Sequence, residues 1–166
     1  WQTKFSVNHS QFDFSSKTPA GEGVINTWFS IDLNGELDTA HPRLRLAYGE
    51  YVDPGGWALL GGQNYSTAAD LRSVVETMDF AGPAGLFQIR QPLFRYTRAL
   101  GRKTVLEVSA ETPEFVVFTG ADVLTGWPDF SAAMTWLTEG RWFKHVRAAG
   151  LVRDLKAQDP TDADAT

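Results

Sequence analysis

Arginine is the residue type whose spacing in this sequence could support binding chemistry. Arg43 and Arg45 lie two residues apart, and Arg90 and Arg95 lie within the largely apolar segment LFQIRQPLFRYTRAL, residues 86–100. A guanidinium group stays charged near neutral pH and binds a carboxylate through two parallel hydrogen bonds. Because alternate residues of a β-strand lie on one face of a sheet, the spacing predicts a strand face that binds anionic groups.

Other kinds of site find little support in the sequence. It has no cysteine, which excludes disulfides, thiolate zinc sites and cysteine nucleophiles. The histidines, His9, His41 and His145, do not have the spacing of metal ligands. Glu107 and Glu111 share a strand face but lie about 13 Å apart, too far for a catalytic dyad. Nucleophile-elbow and phosphate-loop motifs are absent. We therefore predict no metal site, no cofactor and no enzymatic activity.

The composition is typical of a β-rich domain. With 166 residues, 43% of them hydrophobic and 21% charged, the chain is long enough for one domain with its own core. Aromatic residues reach 13%, as in large β-sheets and in membrane-interface girdles. The formal net charge of −5 argues against a nucleic-acid partner. Because no run of about 18 apolar residues occurs, we predict no transmembrane helix.

Runs of alternating apolar and polar residues, separated by turn residues, predict an all-β fold, an antiparallel meander of about eight strands. We predict one β-barrel segment at residues 1–156 and an acidic loop or disordered tail at 157–166. Apolar and aromatic residues share one face of the strands, and charged and small residues share the other. Because the chain begins at Trp1 without a signal peptide, we expect it to be processed or trimmed.

The arginines belong to the third and fifth of these runs. In RLRLAYGEY, residues 43–51, strict alternation predicts a charged and small face formed by Arg43, Arg45, Ala47 and Gly49, opposite Leu44, Leu46 and Tyr48. In the fifth run, a β-bulge at Gln91–Pro92 would tolerate the proline and place Arg90 and Arg95 on one face. Since consecutive runs are neighbours in a meander, the four arginines are predicted to form a ladder across the sheet.

A long segment without strand alternation, Asn64–Gly85, separates the fourth and fifth runs. Its portion STAADLRSVVETM has a capping candidate and apolar spacing that predict a short helix. Its charged residues include Arg72, Glu76 and Asp79. Long loops inside a compact sheet are usually functional, and we expect this one to fold inward over the strands.

Ordered segments of the chain resemble the DcaP-like trimeric outer-membrane porins of Gram-negative bacteria. The similar segments are RLRLAYGEY, ALLGGQNYST, VETMDFAGPAG and IRQPLFRYT, with TKFSVNHSQFDFSSKTP and INTWFSIDLNG resembling the opening hairpin. The resemblance covers residues 3–111 well and 129–155 more loosely. It is a resemblance to the N-terminal half of these porins. It implies a transmembrane β-barrel of sixteen strands in the cell outer membrane, assembled as a homo-trimer and conducting small anionic solutes.

The resemblance also implies roles for the charged residues. The pore-lining residues would be Arg43, Arg45, Arg90, Arg95, Glu107 and Arg147, because a charged ring in a narrow pore selects ions of opposite sign. The inward-folded loop would form a constriction whose field is set by Arg72, Glu76 and Asp79. The implied partners are small anionic solutes, outer-membrane lipid and lipopolysaccharide, and no nucleic acid is expected.

Alternation alone does not say which face points outward, so two other interpretations stay open. A soluble eight-stranded barrel of lipocalin-like architecture would turn its apolar residues inward and bind a small hydrophobic or acidic ligand. A β-barrel enzyme of isomerase or cyclase type would use arginine and glutamate to line a cup. The orientation of seven apolar side chains distinguishes them, because these side chains face outward in a membrane barrel and inward in a binding barrel; they are Phe29, Ile31, Leu44, Leu46, Phe94, Leu106 and Val108.

Overall fold

The computed structural model describes residues 10–34, 41–73, 89–113, 122–124, 126–140, 144–154 and 156–158. The strands formed by these residues are β1 (Gln11–Ala20), β2 (Gly23–Asp32), β3 (Arg43–Asp53), β4 (Trp57–Tyr65), β5 (Arg90–Ala99), β6 (Thr104–Glu111), β7 (Asp122–Leu124), β8 (Asp129–Leu137), β9 (His145–Val152) and β10 (Lys156–Gln158). A single turn of 3₁₀-helix, Leu71–Ser73, follows β4. None of the helical structure in these residues is long and apolar enough to cross a membrane.

Eight of the strands form one antiparallel sheet in the order β1-β2-β3-β4-β5-β6-β8-β9. Each strand therefore pairs with the strand that precedes it in this sheet, as the predicted meander requires, and the all-β fold class is confirmed. The short strands β7 and β10 pair with each other in a separate two-stranded sheet. Strand β10 takes up the first two residues of the predicted tail, and residues 159–166 lie outside the described residues.

The two ends of the sheet differ in the length of their connections. Tight turns join β1 to β2, β3 to β4 and β5 to β6, and each contains a glycine with positive φ, namely Gly21 (59°), Gly56 (83°) and Gly101 (84°). We call this the short-turn end, and it also holds the connection from β8 to β9. Longer connections join β2 to β3, β4 to β5 and β6 to β8 at the opposite, long-loop end. This asymmetry is typical of bacterial outer-membrane barrels.

The most shielded side chains of the sheet are mainly polar, and most of its large apolar side chains are exposed, with Leu60 and Leu93 as buried exceptions. Phe94 is 77% exposed and Val152 is 72% exposed, whereas Asp32 and Glu111 are 0% and 1% exposed. Phe29, Leu44 and Val108 are likewise exposed. The predicted outward orientation is therefore correct for these residues, and it is wrong for Leu46, which pairs with the buried Ser30 on the polar face. A lipocalin-like barrel would bury the same residues in a dry interior, so the arrangement argues against that alternative.

The predicted face pattern of β3 is wrong beyond Arg45. The register with β2 shifts between Ser30 and Ile31, which pair with Leu46 and Leu44, so Arg45 is an extra residue in a β-bulge. A one-residue shift reverses the faces of all residues that follow. Tyr48 consequently pairs with Trp28 on the polar face, and Ala47 and Gly49 lie on the apolar face.

The predicted bulge at Gln91–Pro92 is also wrong. The β4–β5 register is continuous from Trp57–Arg98 to Tyr65–Arg90. Pro92 is tolerated for another reason: its carbonyl accepts a hydrogen bond from the Thr112 N–H (2.8 Å), just beyond the last β5–β6 pair. Proline has no N–H to donate, and at this position, beyond the end of the β5–β6 ladder, no donor is required. Because no residue is inserted, Arg90 and Arg95 lie on opposite faces of β5. The prediction that they share one face is therefore wrong.

Substitution of an apolar-face residue by arginine tests which face contacts lipid. Phe94→Arg places a charge in the middle of β5 and should lower the free energy of unfolding by about 2–4 kcal/mol. The matched control is Leu100→Arg in the β5–β6 turn, where the cost should be about 0–1 kcal/mol. Reversible unfolding in lipid vesicles measures both values. Equal costs for the two variants would contradict a lipid-facing apolar surface.

Candidate functional site

The residues that follow β4 fold over the polar face of the sheet. We call residues 66–73 the inward segment. Its residue Thr67 is fully buried, and the Thr67 N–H donates a hydrogen bond to Glu111 Oε1 (2.8 Å). Asp70 Oδ2 lies 2.8 Å from His145 Nε2. Since Glu111 ends β6 at the long-loop end and His145 begins β9 at the short-turn end, the segment descends along the polar face.

The Glu111 carboxylate is the main anchor of the inward segment. Besides the Thr67 N–H, it accepts hydrogen bonds from Gln91 Nε2 (2.5 Å) and Ser109 Oγ (2.6 Å). A buried carboxylate is stable only when its oxygens receive such bonds. The three donors come from β5, β6 and the inward segment. One side chain therefore joins the segment to two strands of the sheet.

A second cluster, which we call the central cluster, consists of Arg95, Glu107, Thr135 and Arg147. Arg147 Nη1 lies 2.5 Å from Glu107 Oε2 and donates to Thr135 Oγ1 at 2.7 Å. Arg95 Nε lies 3.8 Å from Glu107 Oε1. Arg147 Nη2 also donates to the Thr67 carbonyl (2.6 Å), so this arginine is a second anchor for the inward segment.

A third cluster, the Asp32 cluster, lies at the long-loop end. Asp32 accepts a bidentate interaction from Arg43 (Nε to Oδ1, 3.1 Å; Nη2 to Oδ2, 2.7 Å) and a bond from Arg45 Nη1 (3.3 Å). Arg45 Nη2 reaches the Tyr65 hydroxyl (3.4 Å), and the Arg90 guanidinium lies 5.9 Å from the Tyr65 ring centroid. These five residues bring together three positive charges and one negative charge.

The predicted ladder of four arginines is therefore divided in two. Arg43, Arg45 and Arg90 belong to the Asp32 cluster, whereas Arg95 contacts Glu107 in the central cluster. Arg147 and Glu107, predicted to share the charged face, form an ion pair. Of the predicted loop charges, Arg72 is exposed in the 3₁₀ turn, and Glu76 and Asp79 lie outside the described residues.

Sequence reasoning predicted Glu107 as a site residue but missed two other carboxylates of the polar face, Asp32 and Asp129. Asp32 lies on the polar face of β2, and its pairing with Arg43 follows from the β2–β3 register. Asp129 begins β8 and accepts hydrogen bonds from Arg153 Nε at 3.0 and 2.9 Å. This hydrogen bonding raises the pKa of Arg153 above its ordinary value. The sequence did contain a signal for both ion pairs. In each case an acidic residue lies at the long-loop end of one strand, and the adjacent strand carries an arginine at the same end.

A cavity of about 270 Å³ lies between the inward segment and the polar face. Its charged lining residues are Glu50, Asp70, Arg72, Arg95, Glu107 and Arg147. The cavity is thus lined by both signs of charge, with the Arg147–Glu107 pair at its wall. Within the described ranges, no group of three acidic or histidine side chains is arranged to hold a metal ion.

Removal of the Glu111 negative charge tests how the inward segment is held. Glu111→Gln replaces one acceptor oxygen by an NH₂ group, so the Thr67 and Gln91 donors lose a charge-assisted partner. The opening free energy at Thr67 should fall by about 1.5–3 kcal/mol. Hydrogen–deuterium exchange of the peptide containing Thr67 measures this change. Glu139→Gln, which removes an exposed partner of Lys103, is the control. Unchanged exchange in Glu111→Gln would show that the carboxylate does not hold the segment.

Comparison with known proteins supports an outer-membrane channel architecture. Neither the protein-family models nor the curated proteins give a match. Among solved structures, the outer membrane channel DcaP of Acinetobacter baumannii superposes with a TM-score of 0.78 at 28% sequence identity. The match covers 91% of this chain and 42% of the DcaP chain, so this chain spans less than half the length of that channel. The resemblance to the DcaP-like outer-membrane porins is confirmed, and the similarity places the chain in the cell outer membrane.

Proposed function

We propose that this protein is an outer-membrane porin, a passive diffusion channel for small anionic solutes. The observation that carries the proposal is the inverted polarity of the sheet, whose apolar face is exposed while its charged face is shielded. A sheet of this kind faces hydrocarbon on one side and water in a lumen on the other. In this arrangement the polar face is the pore wall, and outer-membrane lipid and lipopolysaccharide contact the apolar face.

Closure of the pore requires further strands. Strands β1 and β9 are the edges of the eight-stranded sheet formed by the described residues. Unpaired backbone groups are not tolerated in hydrocarbon, so both edges must pair with other strands. We propose that this sheet is about half of a sixteen-stranded barrel and that the barrel assembles as a homo-trimer. Both proposals rest on the similarity to DcaP-like porins.

The preference for anions is assigned to the Asp32 cluster and Arg95. Arg43, Arg45 and Arg90 outnumber the Asp32 carboxylate within their cluster, and Arg90 Nη1 has no hydrogen-bond partner among the described residues. An excess of positive charge at the long-loop end raises the local concentration of anions. Arg95 continues this positive charge toward the short-turn end, beside Glu107.

The inward segment is proposed as the constriction. It lies over the polar face and is anchored by Glu111 and Arg147, so it reduces the cross-section available to a solute. Arg72 belongs to this segment and would contribute to its field together with Glu76 and Asp79. Passage through such a channel needs no cofactor and no covalent chemistry, and selection depends on size and charge.

Paired substitution of two arginines tests the proposed selectivity. Arg90→Gln combined with Arg95→Gln removes two positive charges, and Glu107 keeps its partner Arg147. Anion preference should fall, seen as a reversal potential shifted toward zero in a salt gradient across a planar bilayer. The matched control is Arg98→Gln with Arg102→Gln, at the short-turn end. A reversal potential that is the same in both double variants would remove Arg90 and Arg95 from the selectivity assignment, whereas absence of any wild-type conductance would refute the channel.

A further inference from the structure

The cavity beneath the inward segment contains one carboxylate without a partner and more positive charge than Glu107 balances. Arg147 and Arg95 neutralise Glu107, and Asp70 contacts His145. Glu50 also lines the cavity, and no described residue forms a hydrogen bond or an ion pair with its carboxylate. The same cavity therefore contains arginines that can bind a negative group and a carboxylate that can bind a positive group.

The positive side of the cavity is formed by Arg95 and Arg72. The Arg95 guanidinium makes no hydrogen bond within the described residues, and its ion-pair distance to Glu107 is 3.8 Å. The Arg72 side chain is exposed, and only its backbone N–H is engaged, by Asp70 Oδ1 (3.1 Å). A solute carboxylate can therefore be bound by guanidinium groups that retain unused donors.

The negative side of the cavity has the features of an ammonium site. Glu50 separates the first cavity from a second one of about 450 Å³, which Trp28 and Tyr48 also line. A carboxylate beside aromatic rings suits a cationic amine, through ion pairing and cation–π attraction. The exposed Lys17 of β1 lines the second cavity as well and forms no ion pair with Glu50.

The register sets the spacing of the two charges. Glu50 pairs with Leu60, and Leu60 pairs with Arg95, so the three residues form one row across β3, β4 and β5. Two inter-strand spacings separate the Glu50 and Arg95 backbones by about 10 Å. Leu60 between them is 3% exposed and offers no competing charge. A short solute with opposite charges at its two ends matches this row.

We propose that the cavity binds zwitterionic solutes that carry a carboxylate and an ammonium group, such as amino acids with a short methylene chain. This inference rests on the proposed channel function and extends its solutes from small anions to zwitterions that carry a carboxylate. A solute with a carboxylate alone meets the unneutralised Glu50, whereas a zwitterion places its ammonium group there. The positive Asp32 cluster at the long-loop end attracts the carboxylate end of either solute.

Uptake of size-matched solutes into proteoliposomes tests the proposal. The full-length protein is reconstituted, and the entry of radiolabelled 4-aminobutanoate, butanoate and butylammonium is compared. Wild type should favour 4-aminobutanoate over butanoate. Glu50→Gln should lower this ratio about two- to fivefold, the range expected for loss of one partly exposed ion pair. Arg95→Gln should slow the entry of both carboxylate-bearing solutes.

Controls separate the failure of this inference from failure of the channel assignment. Glu22→Gln makes the same charge change in the exposed β1–β2 turn and should leave the ratio unchanged. Because Glu50 has no hydrogen-bond donor to lose, Glu50→Gln should fold, and heat-modifiable migration on a denaturing gel verifies the barrel. Equal ratios in wild type, Glu50→Gln and Glu22→Gln, with all three proteins conducting ions, would overturn the zwitterion site and leave the porin intact. Absence of conductance and of uptake in wild type would refute both.

Discussion

A carboxylate shielded from water must be matched by donors or cations, and this requirement organises the polar face of the sheet. Asp32, Glu111 and Asp129 are all buried, and each is satisfied by residues of another strand or of the inward segment. Loss of one partner would leave an uncompensated charge, which is far more costly than loss of an exposed ion pair. The positions of the arginines and of the inward segment follow from these carboxylates.

The same pairing limits how much net charge the polar face retains. Glu107 is shared between Arg95 and Arg147, so the central cluster keeps only one positive charge in excess, and the Asp32 cluster keeps a larger excess of arginine. Under the proposed function, selectivity would depend on this residual charge and not on the number of arginines. Under the proposed function, charges that the network leaves unmatched, such as that of Glu50, are the ones that solutes would meet.

Strand register determines which side chains take part in these networks. The extra residue at Arg45 reverses the faces of the rest of β3, which brings Tyr48 and Glu50 to the polar face. The close approach of strands near this bulge also explains Gly62, whose φ is 130° and where a Cβ atom would collide with the Ala47 carbonyl. The pairing of β4 with β5 contains no extra residue. Arg90 and Arg95, which are five positions apart, therefore lie on opposite faces of β5.

The sequence by itself determined the all-β class, the order of the strands and most of their faces, because alternation has a period of two residues and turn residues mark the ends of strands. The outward orientation of residues such as Phe94, the bulge at Arg45 and the pairing around Glu107 and Glu111 were decided only by the tertiary structure. These features join residues as far apart in sequence as Thr67 and Arg147, separated by 80 positions. Their contacts depend on strand register and on burial, and a local pattern specifies neither.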